Sequence, residues 1–134
     1  MHKLKTFIID SDENSREIIK NYSNDLDCIQ ISDVFNSIND AYSHILSEQP
    51  NLVIVDITKN QQETLNIIEK ITTSKQQIKF IVTALSYDTD SIIKAMRAGA
   101  REFLPKPIIK NDFVTTINKL NEQTYGREKT TNCK

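Results

Sequence analysis

Four polar residues stand at the ends of apolar runs. Asp10 follows "TFII", Asp56 follows "LVIV", Thr83 closes "IKFIVT" and Lys106 comes just after "EFLP". Successive members lie 46, 27 and 23 positions apart. Two carboxylates brought together favour a hard divalent cation held by oxygen, such as Mg²⁺. An ammonium beside them is a point charge suited to phosphate oxygens, and a hydroxyl adds one more donor. An aspartate, a metal, a hydroxyl and a lysine make a phosphoryl-transfer site in which the aspartate is the nucleophile.

The segment around Asp10, "DSDENS", carries three carboxylates in four positions. Such a cluster repels itself unless something positive sits within it. The same residues have a plainer use, because Asp10, Asp12 and Asn14 are all good helix N-caps. Phe103 suits simple core packing equally well. His44 sits between Ser43 and Ile45 on a helix, and His2 is terminal, so both read as surface residues without a catalytic or metal role.

These side chains converge only if the elements between them allow it. Leu4 to Ile9 is the first strand candidate, and a helix over Ser15 to Asn24 follows. Cys28 to Ile31 is a short second strand. Ile38, Ala41, Tyr42, Ile45 and Leu46 fall on one face of a helix. "LVIVD" is a fully buried third strand. Leu65, Ile68 and Ile71 mark the third helix and "IKFIVT" the fourth strand. The fourth helix runs from Thr89 to Ala98 and stops at Gly99. "EFL" is a fifth strand, and Phe113, Ile117 and Leu120 mark the last helix. After Asn121 the chain is polar and is expected to be loose.

The pattern is strand–helix repeated five times, an α/β class with a doubly wound parallel sheet of flavodoxin-like order 2-1-3-4-5. Ligands in such sheets bind at the carboxyl ends of the strands, where the order reverses. In that order, Asp10 and Asp56 end neighbouring strands.

Composition sets outer limits. The chain has 134 residues, 38% of them apolar, with a net charge of -1. One domain is expected, and bulk electrostatics gives no reason for direct nucleic-acid binding. The longest apolar run, "LVIV", is far too short for membrane insertion. "MHKLK" leads straight into a strand, which does not resemble a signal peptide. Cys28 and Cys133 form no ligand pair, so a reduced, cytoplasmic setting is the default, with Cys28 a small buried hydrophobe. Two glycines in the whole chain argue against a Gly-rich phosphate loop.

Over residues 4 to 122 the sequence resembles a response regulator receiver domain of bacterial two-component signalling. "AMRAGAREFLPKP", "PNLVIVD" and "FIVTA" carry the likeness, in order and at the family's spacings. The resemblance implies a receiver domain over 1–122 with a polar tail or linker over 123–134. It implies that Asp56 takes a phosphoryl group from a sensor histidine kinase. Asp10, Asp56 and the backbone carbonyl of Thr58 would hold Mg²⁺, with Ser11 or Asp12 as a further ligand. Thr83 and Lys106 would bind the phosphoryl oxygens, and Phe103 stands at a switch position. A cis peptide between Lys106 and Pro107 would aim the lysine. The chain would be no enzyme beyond assisting its own phosphotransfer and dephosphorylation. Output would pass to a downstream protein effector, with the face made by helix four, strand five and helix five as a dimer surface.

Two departures from the family pattern stand out. The family has two adjacent acids after strand one, whereas here Asp10 is followed by the neutral Ser11, and Asp12 comes one position late. The loop after Asp56, "ITKNQQET", lacks the family's proline and glycine. Both departures motivate an alternative, a receiver-like docking or dimerisation module with weak or no phosphorylation. A further variant is the front domain of a longer chain such as a pilus-localisation ATPase. A flavin-binding role is disfavoured, because the acidic loop after strand one would repel a flavin phosphate.

Overall fold

The computed structural model describes residues 3–126. Its elements alternate strictly: β1 Leu4–Ile9, α1 Glu13–Asn24, β2 Ile29–Phe35, α2 Ile38–Glu48, β3 Leu52–Asp56, α3 Gln61–Ser74, β4 Lys79–Ala84, α4 Thr89–Arg97, β5 Glu102–Pro105 and α5 Lys110–Tyr125. The five strands form one parallel sheet in the order β2-β1-β3-β4-β5.

The central strands are mostly apolar because both of their faces are covered. Val53 and Val55 of β3 point into one core cluster with Ile45 of α2 and Ile68 of α3. Leu52 and Ile54 point into a second cluster with Ile19 of α1 and with Phe113, Ile117 and Leu120 of α5. Burying one such side chain contributes about 2 kcal/mol, so these two layers carry most of the stabilisation.

Several boundaries differ from the sequence reading, and three of the differences have a clear structural reason. β2 continues through Ser32 and Asp33 to Phe35, because its ladder with β1 persists past the apolar run. The register slips there: Thr6 pairs with Ile31 but Phe7 pairs with Asp33, leaving Ser32 as an extra residue. α5 runs past Asn121 to Tyr125, so 122–125 are helical and not loose. The Tyr125 hydroxyl reaches back to the Lys3 carbonyl at 2.9 Å and ties this end to the start of β1. Residues 127–134 of the expected tail lie outside the described residues. α4 ends one residue early, before Gly99 at φ 114°. A Cβ at Gly99 would stand 2.5 Å from Thr72 Oγ1, so both the backbone and its neighbour require glycine there.

Candidate functional site

Strand pleating decides which way each candidate points. Leu4 and Ile8 of β1, Leu52 and Ile54 of β3 and Ile81 of β4 all face the α1/α5 layer. Counting on by twos reaches Asp10, Asp56 and Thr83. The carboxyl ends of three adjacent strands thus deliver these side chains to one side of one edge.

Asp10 is 3% exposed. Its backbone is held from two directions: its N–H donates to the Phe35 carbonyl at 2.9 Å, and its carbonyl accepts from Arg16 Nη1 at 2.8 Å. Arg16 also donates to Asn36 Oδ1 at 2.8 Å, joining the loops after β1 and β2. The carboxylate accepts the Asp12 N–H on Oδ1 at 2.9 Å and the Lys106 ammonium on Oδ2 at 2.7 Å.

Lys106 reaches a second carboxylate, with Nζ 3.1 Å from Asp56 Oδ1. The Lys106–Pro107 peptide bond is cis. Burial by itself lowers the lysine pKa. The hydrogen bond to Asp10 and the charges of Asp56 and Asp10 outweigh burial and hold the ammonium above the ordinary lysine value.

Asp56 pairs in register with Thr83 of β4. Its Oδ1 accepts the Thr58 hydroxyl at 2.7 Å and its Oδ2 the Thr58 N–H at 3.2 Å. The Thr58 oxygen in turn accepts the Leu85 N–H at 3.0 Å. Sequence reasoning singled out Thr58 for its backbone carbonyl alone. The side-chain bridge went unseen because its other end, Leu85, is 27 positions away.

Thr83 is 1% exposed, and its hydroxyl has no hydrogen-bond partner among the described residues. An unpaired buried hydroxyl is uncommon and costs stability. Ser11 is exposed on the rim of the cleft. Asp12 has a job already: its carboxylate caps α1 by accepting the Ser15 N–H at 3.1 Å and the Ser15 hydroxyl at 2.7 Å. The Ser15 side-chain bond, then the backbone bond, hold its carboxyl below the usual range. Phe103 is partly buried against the first core cluster and meets Tyr87 edge to face at 5.4 Å.

Asp10, Asp56, Thr58 and Lys106 line a cleft of about 460 Å³, with Ser11 and Asp12 at its acidic end and Ile18, Leu85 and Pro107 as apolar walls. The donor set of the cleft is carboxylate, hydroxyl and backbone oxygen, which fits a hard divalent cation and not a thiophilic one.

Fold and site together define a doubly wound five-stranded α/β domain with two acids and a lysine at its switch point. The chain belongs to the response regulator receiver domain family, whose family model matches residues 6–118. It is 24% identical to the chemotaxis protein CheY of Listeria monocytogenes over 116 residues, covering 87% of this chain and 97% of that one. It is 26% identical to the sensory transduction protein LytR of Staphylococcus haemolyticus over 120 residues, covering 90% of this chain and 46% of that one. A response regulator crystal structure from Thermotoga maritima superposes with a TM-score of 0.80 at 22% identity, covering 90% of this chain and 98% of that one. The chain spans 27% to 49% of the length of several curated regulatory proteins that it matches. Among the described residues, no helix is long and apolar enough to cross a membrane.

Proposed function

We propose that this receiver domain accepts a phosphoryl group on Asp56 from a sensor histidine kinase, with Mg²⁺, and uses it to switch a protein-interaction face. The observation that carries this reading is the orphan hydroxyl of Thr83. It is buried one strand from Asp56, in register with it, and a phosphoryl oxygen is the partner it lacks.

In the reaction, one Asp56 oxygen forms a bond to phosphorus as the bond from phosphorus to the donor imidazole nitrogen breaks. The electron pair leaves on the imidazole. Lys106 places positive charge beside the incoming phosphoryl oxygens, and Thr83 donates a hydrogen bond to one of them. Asp10, Asp56 and the Thr58 carbonyl would hold Mg²⁺, which neutralises phosphoryl charge. Thr58 keeps Asp56 oriented through its hydroxyl and N–H.

Movement of Thr83 toward the phosphoryl group would shift the end of β4 and the loop after it, where Tyr87 meets Phe103. Tyr87, Ile93 and Met96 are exposed apolar side chains in and just before α4, the kind of surface a protein effector or a second copy covers. Such a two-state switch is biased by local charge. A cytoplasmic location follows from the kinase partnership.

The test is incubation of the protein with acetyl phosphate and Mg²⁺, read by intact mass. Gain of one phosphoryl group by the wild type and none by Asp56→Asn is expected. No gain under saturating donor would sink the reading.

One observation favours a second reading, a docking or dimerisation module that is not phosphorylated. Asp12 is engaged as the α1 cap and Ser11 is neutral, which leaves Asp10 as the one acid at the end of β1 whose carboxylate meets Lys106. That reading requires Asp56→Asn to bind its partner as well as the wild type does.

A further inference from the structure

β2 is an edge strand, and its register slip has a consequence for side-chain direction. Ile29 and Ile31 face the α1/α5 layer. Strict alternation would send Asp33 the same way. The extra residue at Ser32 reverses the alternation: Asp33 now pairs with Phe7, a residue of the opposite core cluster, and Val34 takes the α1/α5 side. A bulge of this kind re-aims a side chain. Here it turns Asp33 toward α2.

α2 meets it with His44 and Glu48, one helical turn apart on the same face. His44 Nδ1 is 3.3 Å from Glu48 Oε2. One ligand atom from each of Asp33, His44 and Glu48 lies within 4.8 Å of the other two. Further contacts hold the group, although His44 and Glu48 are exposed. Asp33 Oδ1 accepts the Val34 N–H at 2.8 Å. The other oxygen of Glu48, Oε1, pairs with Lys5 Nζ at 3.3 Å. The His44 ring packs on Phe35 at 5.2 Å, and Phe35 packs on Phe7 at 5.3 Å. None of the three lines the cleft around Asp10 and Asp56.

We propose that Asp33, His44 and Glu48 form a second cation site, for a zinc-class divalent ion, which pins edge strand β2 to α2. An imidazole nitrogen with two carboxylates suits zinc, whereas Mg²⁺ prefers oxygen alone. Zinc bonds of about 2.0–2.1 Å in a tetrahedron put neighbouring donors roughly 3.3 Å apart. His44 and Glu48 already stand at that separation, and Asp33, within 4.8 Å of both, would have to move closer to complete the set. The two carboxylates outnumber the single Lys5 ammonium, so a divalent ion meets net negative charge. The fourth position would be left to water, as three side chains converge among the described residues.

The experiment is calorimetric titration of the metal-stripped protein with Zn²⁺ in excess Mg²⁺, alongside thermal melts and the absorption spectrum of the Co²⁺ form. We expect one ion bound in the low-micromolar range, a higher melting temperature and a tetrahedral Co²⁺ spectrum. His44→Ala and Asp33→Asn should each weaken binding at least tenfold, with Glu48→Gln as the alternative should either fail to fold. The double variant Asp10→Asn/Asp56→Asn should bind Zn²⁺ as the wild type does. Undetectable wild-type binding, undiminished binding in Asp33→Asn, or loss of binding in the double variant would each overturn the site. None of these arms depends on whether Asp56 is phosphorylated.

Discussion

Lys106 Nζ lies 2.7 Å from Asp10 Oδ2, an ion pair closed across 96 positions of sequence with both side chains more than nine-tenths buried. The same ammonium also faces Asp56, so a single cation serves two carboxylates. Removing it leaves both acids facing each other with Asp10 almost wholly buried. Lys106→Met should therefore lower unfolding free energy by about 3 kcal/mol in EDTA, and millimolar Mg²⁺ should restore part of the loss. Denaturant melts with and without Mg²⁺ measure both; a deficit untouched by Mg²⁺ would show that the ion does not replace the lysine charge.

Thr83 offers the opposite sign. Its hydroxyl is buried without a partner, so exchanging it for a methyl of similar shape removes a desolvation cost. Thr83→Val should stabilise the unphosphorylated protein by about 1 kcal/mol and, at the same time, reduce accumulation of the Asp56 phosphoryl adduct. Stabilisation without any effect on phosphorylation would mean the hydroxyl has no role toward the phosphoryl group.

Thr58 ties Asp56 to the start of the loop after β4 through one oxygen. Thr58→Ala should cost about 1 kcal/mol and speed hydrogen exchange at the Leu85 amide, whereas Thr58→Ser should restore protection. Equal exchange in the alanine variant would argue that the Leu85 amide is protected by other means.

If the cleft holds Mg²⁺ as proposed, Ser11 stands on the rim where a second carboxylate would meet it. Ser11→Asp should tighten Mg²⁺ binding roughly tenfold, the effect of about 1.4 kcal/mol from one added charge close to the ion. A Mg²⁺ titration followed by NMR shifts near Asp10 decides it. The wild-type response also reports whether Asp12 can leave its capping role, since Asp12→Ala weakens Mg²⁺ binding only if that carboxylate reaches the ion.

Asp88 caps α4 by accepting the Ser91 N–H at 2.8 Å, and the bonds from Ser91 hold its carboxyl below the ordinary value. The folded pKa is thus lower than the unfolded one. The contribution is fully present above the unfolded pKa and is lost as pH falls through the folded one. Asp88→Ala should therefore melt lower than the wild type at pH 7, and the two curves should converge at strongly acid pH.

Much of this molecule was legible in one dimension. β1 and β3 fall where their apolar runs lie, because central parallel strands buried on both faces are predominantly apolar. Five strand–helix alternations then dictate a parallel sheet, and strand ends dictate where polar side chains gather. β2 was cut short for the same reason reversed: an edge strand tolerates Ser32 and Asp33, so hydrophobicity ends before the ladder does.

What the tertiary structure decided is which atoms meet. The types and spacings of Asp10, Asp56, Thr83 and Lys106 announce a site, but only packing shows that one ammonium is shared between two acids and that one hydroxyl is left unpaired. Asp12 could have been a ligand or a cap by type alone, and its bonds to Ser15 set it as the cap. His44 is the surface residue its place on α2 suggests, and only the fold shows that a one-residue slip in a neighbouring strand brings Asp33 near it. Periodicity records burial, which is a property of each residue. Contact across tens of positions is a property of the fold, and only the folded chain expresses it.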